Sequence, residues 1–264
     1  MAAQHAEVGQ VLLVPALLLV VLVLYWIAAL WQRLAGRRWS SWRTASFTLG
    51  VGLLGLAVSA PVAAFAHHDL RGHMLQHLLL GMFAPLPLVL GAPGTLLLRS
   101  LPVPAARGLV RLLGSRPLRG LIHPVTALLL DIGGMYVLYL TPLYAATLTS
   151  PLLHRLVHVH FVLSGYLFTW AIVGPDPAPH RPGLRLRLAV LFLATASHAT
   201  LAKLMYAYGW PRGTPHGIDE IRTAAQWMYY GGDIAELLLI VVFFAIRFRA
   251  GRAGGYSPLY PRTR

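Results

Sequence analysis

Seven stretches of roughly twenty mostly apolar residues, near 11–31, 46–66, 74–98, 122–143, 154–173, 186–207 and 225–246, leave this chain few ways to fold. A helix needs about 20 apolar residues to cross the hydrocarbon core of a bilayer. Inside that core each backbone N–H and C=O must find an internal partner, which a helix supplies along its own length. The windows therefore predict an all-α polytopic membrane protein, a seven-transmembrane-helix bundle. Residues 1–264 read as one domain, because no stretch joins a polar surface to an apolar core of its own. Composition agrees: 57% of residues are hydrophobic and only 11% charged, against roughly a quarter charged in soluble domains. Pro85, Pro87 and Pro93 interrupt the third window, so a kink or short break is expected there. The first window has no basic residue before it and no small-residue cleavage site after it, and is expected to stay in the mature protein.

Basic residues are retained on the cytoplasmic face, so their distribution orients the bundle. Seventeen of them fall on one side: Arg33, Arg37, Arg38 and Arg43; Arg99, Arg107, Arg111, Arg116 and Arg119; Arg181, Arg185 and Arg187; and Arg247, Arg249, Arg252, Arg262 and Arg264. Five fall on the other: Arg71, Arg155, Lys203, Arg212 and Arg222. This places the amino terminus outside and the carboxyl terminus in the cytoplasm. The segment 101–121 reads either as an amphipathic helix on the anionic inner surface or as an irregular loop. The Pro-rich run Gly174 to Pro182 reads as a stiff turn or a plain linker.

A net charge of +14 raises nucleic acid as a partner, but the Arg residues sit in short gaps between apolar blocks and no nucleic acid is expected. Cysteine is absent, so disulfides, thiolate metal sites and thiol redox chemistry are excluded. Gly50-Val-Gly52-Leu-Leu-Gly55 fits a dinucleotide fingerprint only formally. It lies inside a span, with no strand before it, and reads as helix packing.

The chain has twelve His. His67, His68, His73 and His77 cluster around the join of the second and third spans, His154, His158 and His160 open the fifth, and His198 lies in the sixth. His73 and His77 are four apart, as are His154 and His158, so each pair shares a helical face about one turn apart. A single membrane His commonly just bonds a neighbouring helix. Several at matched depth, on separate spans, point instead to a functional site, and imidazole is the commonest transition-metal ligand. Asp131 in the fourth span and Asp233 and Glu236 in the seventh fall at similar depth, and intramembrane carboxylates usually line functional cavities. Together with His198 and Lys203 they predict a polar pocket in the outer half of the bundle. Met74, Met82, Met205 and Met228 lie close by and read as packing, although thioethers suit Cu(I).

The element His73-Met74-Leu75-Gln76-His77, followed by Ala84-Pro85 and Leu90-Gly91-Ala92-Pro93, resembles the membrane-integral CtaG family of cytochrome c oxidase (caa3-type) assembly factors. The likeness continues through His158, Phe161, Gly165, Leu167-Phe168, Trp170 and Gly174-Pro175-Asp176-Pro177 to His198-Ala199. It runs from about His67 to Glu236, and the first span carries none of it. The resemblance implies a multi-pass protein of the bacterial inner (plasma) membrane that matures a haem-copper oxidase by handling copper on its outer side. On that expectation His73, His77 and His158 bind copper, His67, His68 and His198 are further ligands, and Asp131, Asp233 or Glu236 orient the imidazoles. The implied role is delivery, not enzymatic turnover, with oxidase subunits or a periplasmic copper chaperone as partners. Two rival expectations are a haem-binding membrane redox protein using the same histidines as axial ligands, and a copper or proton transporter built on the carboxylates and Lys203.

Overall fold

Proline in the third apolar window decides the shape of the bundle's centre. The structure, a computed structural model, describes residues 2–176 and 182–254. All its regular elements are helices: α1 (Ala2–Leu34), α2 (Ser41–Ala57), α3 (Ala60–His68), α4 (Leu70–His77), a π-helical segment (Leu78–Phe83), α5 (Pro85–Leu90), α6 (Pro93–Ser100), α7 (Val103–Leu113), α8 (Arg116–Leu121), α9 (Pro124–Leu140), α10 (Leu143–Thr149), α11 (Pro151–Val173), α12 (Leu184–Tyr208) and α13 (Ile218–Gly254). No strand occurs among the described residues.

Pro85 has no N–H, and the turn before it widens to π geometry, with Ala84 N donating to the Leu79 carbonyl at 2.9 Å. The expected break comes two turns later, where Ala92 adopts a left-handed φ of 52° and α6 sets off separately. The continuous span is thus Leu70–Leu90, starting four residues before the window read from hydropathy and ending eight residues before it does. The carbonyls loosened here are taken up by neighbours: Ser46 Oγ donates to Pro87 O at 2.8 Å, and Tyr25 Oη to Gly91 O at 2.7 Å. Tyr25 also stacks on Phe47 at 3.9 Å, which fastens α1 to α2.

Among the described residues four helices are long and apolar enough to cross a membrane, Leu13–Leu34, Leu70–Leu90, Pro151–Val173 and Leu184–Tyr208, and six spans result if two bent pairs each count as one. The bends are 48° between α2 and α3 and 75° between α9 and α10. The second follows from Pro142, with Leu143 N donating to Thr141 Oγ1 at 3.3 Å. Burial separates centre from rim: 67% of the Leu70–Leu90 window is inside the fold, against 11% of the Leu13–Leu34 window. The seventh apolar window lies within the 37-residue α13.

Residues 101–121 are helical, as α7 and α8, and neither buries a side chain. Of the Pro-rich run, residues 177–181 lie outside the described residues, as do Arg262 and Arg264. Asp176 is described and has a definite task. Its carboxylate accepts from Thr95 N at 2.6 Å, Thr95 Oγ1 at 2.5 Å and Gly94 N at 3.3 Å, closing the start of α6. A carboxylate there satisfies orphan donors and meets the positive end of the helix dipole. Asp176→Ala is therefore expected to cost about 2 kcal/mol, read as a lowered midpoint in thermal unfolding of the detergent-solubilised chain.

Candidate functional site

Asp69 interrupts the join of α3 and α4 with an extended backbone and accepts from Arg71 N at 2.7 Å, so that α4 starts afresh. The Arg71 guanidinium beside it holds the Asp69 carboxyl below the usual carboxylate range. Gly72 lets this happen: a Cβ there would fall 2.5 Å from Ala66 N. Leu70 N finds its partner far away in sequence, donating to Glu220 Oε1 at 2.6 Å. Thus placed, α4 directs His73 and His77 inward, and both are buried.

The two imidazoles of α4 meet different helices. His73 faces His158 of α11, with ring centroids 6.2 Å apart and planes 27° from parallel. His77 faces His198 of α12, again at 6.2 Å and 27°. His154, one turn from His158, lies 4.3 Å from it and 6.5 Å from His73, so it belongs to the first pair's surroundings. Spans three and five therefore turn their histidines toward one another.

The close approach of these helices depends on glycine. A Cβ on Gly165 of α11 would come within 2.0 Å of the Gly81 carbonyl oxygen, and one on Gly232 of α13 within 2.1 Å of His198 Cε1. Aromatic rings close the walls: Tyr139, Tyr144 and Phe161 all contact His73, and Phe161 lies 4.7 Å from His77.

Hydrogen bonds account for these imidazoles only in part. His73 Nε2 lies 3.1 Å from Tyr139 Oη. Among the described residues neither nitrogen of His77 has a partner, nor does His158 Nε2, His198 Nε2 or Glu236 Oε2, and all of these atoms are buried. His198 Nδ1 and Glu236 Oε1 are 3.8 Å apart, too long for a hydrogen bond. Leaving a buried polar group unpaired costs about 1–3 kcal/mol each. His160 is the contrasting case: its Nε2 donates to Leu130 O at 3.0 Å, an interhelical tie of purely structural kind.

A cavity of about 160 Å³ reaches the first pair from the α3–α4 end, lined by His67, His73, Tyr144, His154 and Arg155 among others. His67 and His68 are exposed, with rings 5.1 Å apart, and His67 alone of the two lines the cavity. Above it, Tyr144 Oη lies 3.2 Å from His216 Nε2, and His216 Nδ1 is 2.7 Å from Glu220 Oε1, linking α10 to α13 and α4.

The carboxylates sit deeper. Asp131 accepts from Ser164 Oγ at 3.1 Å, so its partner is a hydroxyl and not an imidazole. Asp131 and Glu236 line one cavity of about 30 Å³ together with Met82, room for about one water. Asp233 is half-buried, one turn before Glu236. Lys203 departs from the sequence expectation: it is exposed, its Nζ 5.4 Å from the centre of the Tyr229 ring, because its long stem reaches out of the bundle. Met74, Met205 and Met228 are fully buried in the apolar core.

Sequence reasoning left out His216, Tyr139 and Tyr144, and did not carry His154 into the ligand set. Only the i,i+4 spacing of His154 from His158 gave a signal. Among the described residues, no three His, Asp or Glu side chains are gathered to hold one metal ion. The arrangement instead offers imidazoles in twos.

The family model described as cytochrome c oxidase caa3 assembly factor matches residues 21–250. Uncharacterized proteins of Mycobacterium bovis and Mycobacterium tuberculosis are each 38% identical to this chain over 179 residues, covering 65% of it and 27% of their own length. A Mycobacterium leprae protein is 36% identical over 174 residues, or 63% of this chain and 26% of that protein. The chain thus spans about a quarter of the length of the curated relatives it matches. No solved structure matches it.

Proposed function

Because the chain belongs to the cytochrome c oxidase caa3 assembly factor family, we propose that it serves oxidase maturation by holding copper(I) between pairs of imidazoles and passing it on at the outer membrane surface. The observation that carries this is the repeated pair geometry, His73–His158 and His77–His198, each at 6.2 Å and 27°, with His77, His158 and His198 nitrogens buried and unpartnered. A separation of 6.2 Å accommodates a metal–nitrogen bond of about 2 Å on each side plus the half-width of each ring. Copper(I) is a d¹⁰ ion that accepts two nitrogen ligands in a line, and imidazole suits it. Zinc would ask for four.

In this reading seven spans cross the bacterial inner membrane, α13 supplying the last, with the amino terminus outside because seventeen of the 22 basic residues fall on the opposite side. His67 and His154 then admit copper through the cavity, and His68 stands exposed beside His67, outside the cavity lining. Asp131, Asp233 and Glu236 lie behind the second pair. Copper is cargo, handed to oxidase subunits or taken from a periplasmic chaperone, and no substrate is turned over.

The haem alternative also wants paired imidazoles, but it needs a slab of space between them. The cavity beside His73 is about 160 Å³, below the ~300–1,000 Å³ typical of sites for ligands of that size. Phe161 fills the flank of His77. A transporter needs a polar route through the other half of the bundle, which the apolar lower spans do not offer.

The test is anaerobic titration of the purified chain with copper(I) against a chromophoric chelator, with X-ray absorption on the loaded protein. One ion per imidazole pair, bound by nitrogen at low coordination number, is the expected result. No copper retained against a weak chelator, or a Soret band in the purified protein, would sink the reading. Gly232→Ala separates the two pairs: the added methyl pushes the His198 ring aside, while the gain of up to ~1 kcal/mol in helix propensity offsets the strain. The variant should unfold at nearly the parental temperature and lose the copper of the second pair alone.

A further inference from the structure

At the end of the bundle opposite the histidines, Arg33, Arg37, Arg38, Arg43 and Arg99 surround a basin of about 930 Å³ floored by Trp39. Among the described residues no carboxylate lines it, and the sequence holds no acidic side chain between Glu7 and Asp69 or between Asp69 and Asp131. The guanidiniums are steadied by neutral partners: Arg33 Nη2 donates to Ser41 Oγ at 3.3 Å, Arg37 Nη1 to Arg99 O at 3.2 Å, and Arg99 Nη1 to Arg38 O at 3.4 Å. Arg43 and Arg99 also lie 5.1 and 5.8 Å from the centre of the Trp39 ring. Such contacts orient a cation without neutralising it, and each guanidinium keeps most of its five donors free.

A second basin of about 580 Å³ shares Arg37 and Arg99 and adds Arg107 and Arg111, but its remaining wall is apolar, including Leu98, Leu101, Val103 and Val110. Helix α7, which supplies much of that wall, buries no side chain within the fold.

We propose that these joined basins form a binding site for an anionic phospholipid, with its phosphate in the arginine basin and its acyl chains against α7. Guanidinium matches phosphate with two parallel hydrogen bonds. A free inorganic anion would gain nothing from the apolar wall of the second basin, whereas a lipid uses both. The position, where α1 and α6 end and α2 begins, is where spans leave the bilayer. This site is independent of the copper reading.

Native mass spectrometry of the delipidated full chain in detergent tests it, with phosphatidylglycerol, diphosphatidylglycerol and phosphatidylcholine as probes and inorganic phosphate as competitor. The anionic lipids should bind at least tenfold more tightly than phosphatidylcholine. Arg33→Gln with Arg38→Gln and Arg43→Gln should abolish that preference, while the matching three Lys substitutions should retain most of it. Should the triple Gln variant fail to fold by circular dichroism, Arg38→Gln alone should reduce the preference about threefold. Equal binding of all three lipids, an unchanged preference in the folded Gln variants, or displacement of the lipid by an equal concentration of inorganic phosphate would overturn the proposal.

Discussion

His73→Ala is expected to lower copper(I) affinity at the first imidazole pair by more than ~100-fold, since losing a group that merely orients a ligand already costs 10–100-fold. A two-ligand site then keeps His158 without its facing partner, and the other imidazole beside it, His154 at 4.3 Å, comes from the same helix and not from the opposite side. The Tyr139 hydroxyl 3.1 Å from His73 supplies the control. Tyr139→Phe removes that hydrogen bond, leaves both imidazoles, and should shift affinity by about tenfold or less. Competition titration reads both variants. Equal copper affinity in His73→Ala and the parent would show that the first pair does not bind the ion.

Gly165→Ala is expected to destabilise the bundle by about 3 kcal/mol, at the top of the range for overpacking. The obstacle is backbone: the new methyl would come 2.0 Å from the Gly81 carbonyl oxygen, with no flexible side chain to yield. The helices must separate there, which also pulls His158 away from His73. Gly52→Ala, where nothing lies within 4 Å of the added Cβ, should be neutral or slightly stabilising. Thermal unfolding of both in detergent makes the comparison. Similar midpoints for the two would mean that α11 and the π-helical segment do not pack as described.

The motifs that suggested the family divide into two kinds once folded. His73, His77, His158 and His198 gather in pairs, and their imidazoles carry the proposed chemistry. Gly174-Pro175-Asp176 and Ala92-Pro93-Gly94 meet each other at the far end, where Asp176 caps α6. Their spacing along the chain gives no hint that one serves the other.

Periodicity and composition, read alone, settle what is local. Apolar windows long enough for a bilayer require helices, proline in the third requires a break, and an i,i+4 spacing puts two imidazoles on one face. Partners across helices are a different matter. That His73 meets His158 while His77 meets His198, that Asp131 turns to Ser164, and that Lys203 points outward all depend on the tilt and spacing of whole helices. Those are set by glycine contacts such as Gly81–Gly165 and by the bend at Thr141–Pro142, between residues far apart in the chain. Helical geometry propagates a side chain's direction for only a turn or two, so pairings of this range appear only when the bundle has packed.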